Sequence, residues 1–533
     1  MSRKKRSAGR PDERRRQARV PLAATLAMLV FVLSAALYWP ARGYDFVWDD
    51  EPLNLGQNRE LRLGNYAFFW THPYQRLYVP VAYSAWTLIA QSTGGGADTG
   101  PLRPEPFRIA NILLHALSAT FVFLLIRRLT NTDWPAFAGA LLFAAHPLQV
   151  EPVIWITEFR GVLSTSLTLG ALLLWLRFRR THHALAAIGA SLCFAAALLS
   201  KPIAIVVPMI VIAIELLWPP IDRRRLVYPI AWMVASIPIV WITKSVQPDA
   251  AIQTTTALWT RPLIAGDAVS HYLYKLFAPI DLAISYGRTP VAVMETSLVY
   301  VLWVIPAALV ALAWYLRRRA PVLSFAIAIV LLPLAPVSGL VPFEFQNYST
   351  VADRYFYLPM AGVAMIAAWA VARIPSRRWA AIGAGIVVAG LVFLNVGQQP
   401  LWASELSVWR HAVDLFPGDA KAQFALGTAL AAAGDDRAAI VHYQRSIAIR
   451  PLDGDVFFNL GNAERRLGRD RAAAIAAYRE AARLDPAHVA ARANLLMMLL
   501  EAGEHAEAQQ VAAELQRLAP QHPVFEAIRR QGG

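Results

Sequence analysis

Residues 20–38 read VPLAATLAMLVFVLSAALY, nineteen positions without a charged side chain. An α-helix needs about 20 such residues to cross a bilayer core. Ahead of the run stand Arg3, Lys4, Lys5, Arg6, Arg10, Arg14, Arg15, Arg16 and Arg19, against only Asp12 and Glu13. A basic flank followed by an apolar run marks a cytoplasmic N-terminus. The same pattern can open a cleaved signal peptide. The length, however, is that of a full span, and WPARGYD at 39–45 holds no small-x-small cleavage pattern. The expectation is a basic cytoplasmic leader over 1–19 and an uncleaved first helix.

Outward from that helix the chain turns polar over 40–106, then apolar runs recur. They cover Phe107–Ile126, Pro135–Ala145, Gly161–Leu176, Ala184–Leu199, Ile203–Leu217, Leu226–Thr243, Leu298–Leu316, Val322–Val341, Tyr357–Ala372 and Trp379–Val396. With the first helix they predict about eleven spans. Arginines cluster at 127–128, 177–180, 223–225, 317–319 and 373–378, in alternate connections, which the positive-inside rule assigns to the cytoplasm. Residues 265–284 are apolar but broken by Asp267, His271, Lys275 and Asp281, and read as an interfacial or re-entrant helix on the outer side. The loop 40–106 and the C-terminal part then also lie outside. The predicted setting is a multi-pass membrane protein with its N-terminus in the cytoplasm.

Composition agrees, with 56% hydrophobic and 16% charged residues, against about 25% charged in soluble domains. The formal net charge is +15. It sits in short loops beside apolar runs and accompanies no nucleic-acid-binding module, so nucleic acid is excluded as a partner. Cys193 is the single cysteine, which rules out an intramolecular disulfide.

From about residue 400 the pattern becomes amphipathic and periodic. Pro417, Pro451, Pro486 and Pro520 stand 34, 35 and 34 residues apart. Leu426-Gly427 and Leu460-Gly461 recur in phase, as do Tyr443 and Tyr478. Two helices per repeat, small residues where they cross and proline after the second helix define a tetratricopeptide array. The predicted fold is all-α: a polytopic membrane helical domain over 20–399, then a tetratricopeptide α-solenoid over 400–533.

Charged groups beside a membrane are costly and tend to carry function. Asp49 and Asp50 follow the first span closely. Such a pair can bind a metal, deprotonate a hydroxyl, or merely cap a helix. His146 and Glu151 share a short outside connection, with Trp155, Glu158 and Arg160 behind them at near-helical spacing. An interfacial anchor is the plainer reading of a histidine placed so. Lys201 and Arg354 interrupt apolar surroundings on the same predicted side. They suit either a lipid phosphate or snorkelling to headgroups.

The blocks VWDDEPL (47–53), NILLHALSATFVFLL (111–125), FAAHPLQVEPVIWITEFRGVLS (143–164), LLSKPIAIVVP (198–208) and ADRYFYLPMAG (352–362) occur in the order known from one family. The chain resembles the C-type, polyprenyl-phosphate-dependent membrane glycosyltransferases. It is most similar to the transmembrane O-mannosyltransferases with C-terminal tetratricopeptide repeats and to their bacterial relatives. The resemblance spans about Val20 to Pro520.

It implies an outer-face active site that moves a sugar from a polyprenyl-phosphate carrier to a hydroxyl acceptor, as in protein O-glycosylation. Carried over, Asp49 and Asp50 would hold the catalytic base, with Asp50 the choice. Lys201, Arg354 and Arg160 would face the lipid phosphate, with His146 and Glu151 nearby. The eukaryotic tyrosine-arginine-proline-leucine block is split here, in HPYQRLYVPVAYSAW (72–86), which leaves Arg76 and Pro80 apart. Sugar and acceptor identity are therefore not carried over. No cofactor is fixed; some relatives use a divalent metal and others do not, and no metal ligand is assigned. Expected partners are the lipid-linked sugar, the bilayer, and an acceptor protein or peptide held by the repeats. The alternative is a non-catalytic scaffold whose repeats assemble an envelope complex.

Overall fold

The computed structural model describes residues 11–50, 54–96, 100–246 and 256–531, with side chains from Leu22 to Ile528. Glu51 and most of the basic leader lie outside the described residues. Among those described the chain is helical, with one isolated bridge between Tyr74 and Leu77 and no strand. It divides into two compact units: 1–282 with 288–404, and 283–287 with 405–533.

In the first unit, six described helices are long and apolar enough to cross a membrane: Leu22–Gly43, Glu105–Thr130, Ile156–Thr181, Arg223–Ser245, Val299–Leu316 and Arg377–Trp402. Trp134–Ala145 and Pro147–Ile154 pass together, bent by 58°, which makes seven. Ala184–Leu198, Pro202–Leu217, Pro321–Leu331 and Pro359–Val371 are apolar but have only 10–17 residues. About eleven spans is therefore not reached on length and composition. Proline is the reason. Pro147, Pro202, Pro321 and Pro359 each open a helix, and Pro333 and Pro336 follow the end of another. A residue without an N–H and with fixed φ restarts a helix rather than continuing it. The Arg261–Phe277 helix is not among the candidate spans.

The helices differ in how much neighbouring protein covers them. The window within Ile156–Thr181 is 72% buried and that within Glu105–Thr130 56% buried, against 6% for Val299–Leu316 and 11% for Arg377–Trp402. The first two form the centre, and Ser118 Oγ meets Ser166 Oγ across them at 2.6 Å. The others present apolar faces outward, as a bilayer requires. Where lipid gives no hydrophobic drive between helices, close backbone approach supplies the packing. A Cβ on Gly139 would fall 2.5 Å from the Ala364 carbonyl oxygen, and one on Gly362 would fall 2.4 Å from that of Ala326.

In the second unit, helices run Glu405–Leu415, Ala420–Ala432, Asp436–Ile449, Gly454–Leu467, Arg471–Leu484, Val489–Ala502, His505–Leu518 and Val524–Gln531. Asp419, Asp435, Asp453 and Asp470 cap four of them by accepting backbone N–H groups. Tyr443 covers Gly427 and Tyr478 covers Gly461, where a Cβ would come within 2.7 and 2.8 Å of the ring. Residues 283–287 belong with these repeats, with Tyr286 against Phe416 at 5.3 Å between ring centroids.

Candidate active site

After Tyr38 the chain leaves the first helix through a 3-10 turn, Trp39–Gly43. Buried Arg108, in the first turns of the Glu105–Thr130 helix, fastens the next residues. Its Nη1 donates to the Tyr44 carbonyl, its Nη2 to that of Asp45 at 2.8 Å, and its Nε to that of Ile154 at 3.0 Å. Trp48 then adopts φ 56°, an uncommon conformation for a bulky residue. Its indole stacks on Trp155 with centroids 4.9 Å apart and 11° between planes. The left-handed step turns the chain into Asp49 and Asp50.

The two carboxylates differ. Asp50 is fully buried. Its Oδ2 accepts the Val47 N–H at 3.0 Å, and its Oδ1 accepts both the N–H and the hydroxyl of Thr157 at 2.8 and 2.7 Å. Asp49 Oδ1 is buried and has no hydrogen-bond partner. A lone acceptor in a buried position is costly unless a ligand uses it. Burial pushes both carboxyls above the ordinary range. For Asp49 the charges of Arg160 and Arg354 and hydrogen bonding oppose the rise. Asp50, with Asp49 beside it, is pushed up to about 7.

Opposite the pair runs 146–160, broken at Pro147 and Trp155 and by two short 3-10 turns. Each break frees backbone groups or re-aims a side chain. Glu151 Oε1 accepts from Arg354 Nη1 at 2.5 Å, and Glu158 Oε2 accepts from Lys201 Nζ at 2.6 Å. Glu158 Oε1 also lies 3.9 Å from Arg354 Nε. Glu158 thus brings Lys201 and Arg354 together, each already paired. The Arg354 guanidinium is ringed by Phe345, Tyr355, Trp155 and Trp48, at 4.3, 5.1, 5.2 and 5.9 Å from the ring centroids. Arg160 donates from Nε to the Thr157 carbonyl at 3.1 Å.

Two expected neighbours do other work. His146 is buried and spends both ring nitrogens on backbone: Nδ1 accepts the Leu148 N–H at 3.2 Å, and Nε2 donates to the Leu276 carbonyl at 3.1 Å. It fixes the bend after Ala145. Arg76 follows Gln75 in a turn where both have positive φ, and pairs with Glu344 at 2.8 Å. Glu344 precedes the Phe345 that covers Arg354.

Sequence reasoning missed Thr157, Arg108 and Phe345. Arg108 carried a signal, a charge at the head of an apolar run. Thr157 and Phe345 carried none. No group of three or more His, Cys, Asp or Glu among the described residues could hold a metal.

Residues 103–245 match the family described as Dolichyl-phosphate-mannose-protein mannosyltransferase, and residues 454–488 match the Tetratricopeptide repeat. A protein O-mannosyl-transferase of Caenorhabditis elegans is 23% identical over 80% of this chain and 62% of its own length. The protein O-mannosyl-transferase TMTC1 of Mus musculus is 25% identical over 40% of this chain and 24% of its own. The chain thus spans less than two thirds of these relatives. A crystal structure of ArnT from Cupriavidus metallidurans bound to undecaprenyl phosphate is 16% identical, covers 87% of this chain and 80% of that one, and has a TM-score of 0.35; that score is too low for the likeness to bear on the site. The chain thus carries a membrane segment similar to the mannosyltransferase family ahead of tetratricopeptide repeats, and it is similar to the O-mannosyl-transferases over part of their length.

Proposed function

We propose that the chain transfers a sugar from a polyprenyl-phosphate carrier to a protein hydroxyl, with Asp49 as the base. The reading rests above all on the buried, unpartnered Oδ1 of Asp49, next in sequence to an Asp50 whose oxygens are engaged. Asp49 Oδ1 takes the acceptor hydroxyl proton. The hydroxyl oxygen forms a bond to the anomeric carbon as the bond from that carbon to the phosphate oxygen breaks. The electron pair leaves with polyprenyl phosphate. The donor is already activated, so positioning and charge stabilisation suffice. Arg160 receives the departing phosphate, while Lys201 and Arg354, held by Glu158 and Glu151, offset its charge from behind. Asp50 positions Thr157 and the strand of backbone that carries Asp49. The repeats hold the acceptor, and the site opens on the outer membrane face.

The test is transfer from a radiolabelled polyprenyl-phosphate hexose in membranes, per folded molecule, for the wild type and Asp49→Asn. Loss of a general base lowers the rate by roughly 10²–10⁴-fold. Undiminished transfer by Asp49→Asn overturns the assignment. No transfer by the wild type from any such donor leaves the scaffold reading.

A further inference from the structure

The Glu105–Thr130 and Phe159–Thr181 helices carry Arg108 and Arg160 in their first turns and end together at a cavity of about 310 Å³. At 1.5 Å per residue, Arg128 lies about 30 Å along its helix from Arg108, so this cavity is remote from Asp49. Arg127, Arg128, Asn131, Leu173, Arg177 and Arg180 line it. Both helices close with a left-handed residue, Asn131 at φ 53° and His182 at φ 54°, which keeps the last turns intact and the arginines in register.

The charges there do not balance. Arg127 pairs with Asp133 at 2.6 Å. Among the described residues Arg128, Arg177 and Arg180 form no ion pair with a carboxylate. Glu215, buried on the Val207–Leu217 helix, is taken by Arg179 at 3.0 Å and Arg225 at 3.7 Å. Each helix C-terminus supplies about half a negative charge. With Asp133, that leaves roughly two of the four lining cations uncompensated. Guanidinium forks match phosphate oxygens in pairs, and the leucines give the cavity an apolar wall. Basic pockets between membrane helices suit anionic headgroups.

We propose that this cavity binds the phosphate of a net-anionic membrane phospholipid, as a site separate from the aspartate pair. The full chain is purified in detergent, stripped of lipid and titrated with phosphatidylglycerol or phosphatidylcholine, with bound lipid counted by native mass spectrometry. Phosphatidylglycerol should bind stoichiometrically and phosphatidylcholine far more weakly. Combining Arg128→Gln, Arg177→Gln and Arg180→Gln should weaken phosphatidylglycerol binding by roughly 100–200-fold, at the usual worth of a cation near an anionic surface. Lysine at the same three positions keeps the charge but not the fork and should keep binding intermediate between the wild type and the glutamine variant, which separates lost recognition from lost folding. Equal binding of the two lipids, or unchanged binding in the glutamine variant, would mean that the arginines only snorkel, and would overturn the proposal. Displacement of the lipid by an equal concentration of inorganic phosphate would transfer the site to a soluble anion and overturn the lipid as its source.

Discussion

The Lys201 ammonium lies 2.6 Å from Glu158 Oε2, so a cation expected to await an anion already has one. Breaking a buried pair strands the remaining charge, at a cost of about 3–5 kcal/mol. Lys201→Met should therefore lose about 3 kcal/mol of stability, and adding Glu158→Gln should recover part of it. Chemical unfolding of the two single variants and the double variant measures the coupling. Simple additivity would show that the pair is not held in solution.

Gly161 guards the same pair. A Cβ there would sit 2.5 Å from Glu158 Oε2 and 3.1 Å from Lys201 Nζ. Gly161→Ala favours the helix intrinsically, by up to about 1 kcal/mol. It should nonetheless depress transfer at least tenfold, by pushing Glu158 off Lys201. The informative result is a protein that folds well and works badly; normal turnover would mean that Glu158 moves aside without consequence.

The two aspartates should fail in different ways. Asp49→Asn should fold normally and lose turnover. Asp50→Asn turns an acceptor oxygen into a donor that must face either the Val47 N–H or the Thr157 groups, leaving a buried donor unsatisfied at about 1–3 kcal/mol. Its melting temperature should drop, while activity per folded molecule survives better than in Asp49→Asn. The reverse ranking in activity would return the base to Asp50.

Acid should act on rate and stability with opposite sign. A base works only when ionised, and burial raises the Asp49 carboxyl, so kcat/KM should decline on the acid side with a midpoint clearly above the ordinary value of about 4. Asp50 moves from 3.8 to about 7 in the fold. A raised carboxyl contributes stability that is complete below its unfolded value and lost as pH rises through its folded value. Unfolding followed from pH 4 to 8 should show stability falling over that window, with a flatter profile in Asp50→Asn. A rate profile with its acid limb at about 4 would remove the raised base.

How much was legible in the sequence depends on range. Prolines spaced 34 and 35 residues apart announced the repeats, because each one ends a helix through its own backbone. The apolar runs announced helices but not their lengths, since prolines such as Pro333 act inside the pattern. The acids and bases of the site were visible as individuals. Their pairing was not: Glu151 and Arg354 are 203 positions apart, and periodicity carries no information over that distance. His146 shows the opposite difficulty. A histidine that serves backbone geometry and one that serves chemistry look identical in sequence until both nitrogens are accounted for.

The joint between helices in the array is used twice, by Tyr443 over Gly427 and by Tyr478 over Gly461. A part that mates with its own copy places no limit on the number of copies. Unequal recombination within the gene could add or remove a block of about 34 residues and rebuild the same joint at the seam. Array length could then drift between lineages as a freely varying trait, while the membrane residues around Asp49 answer to a separate selection.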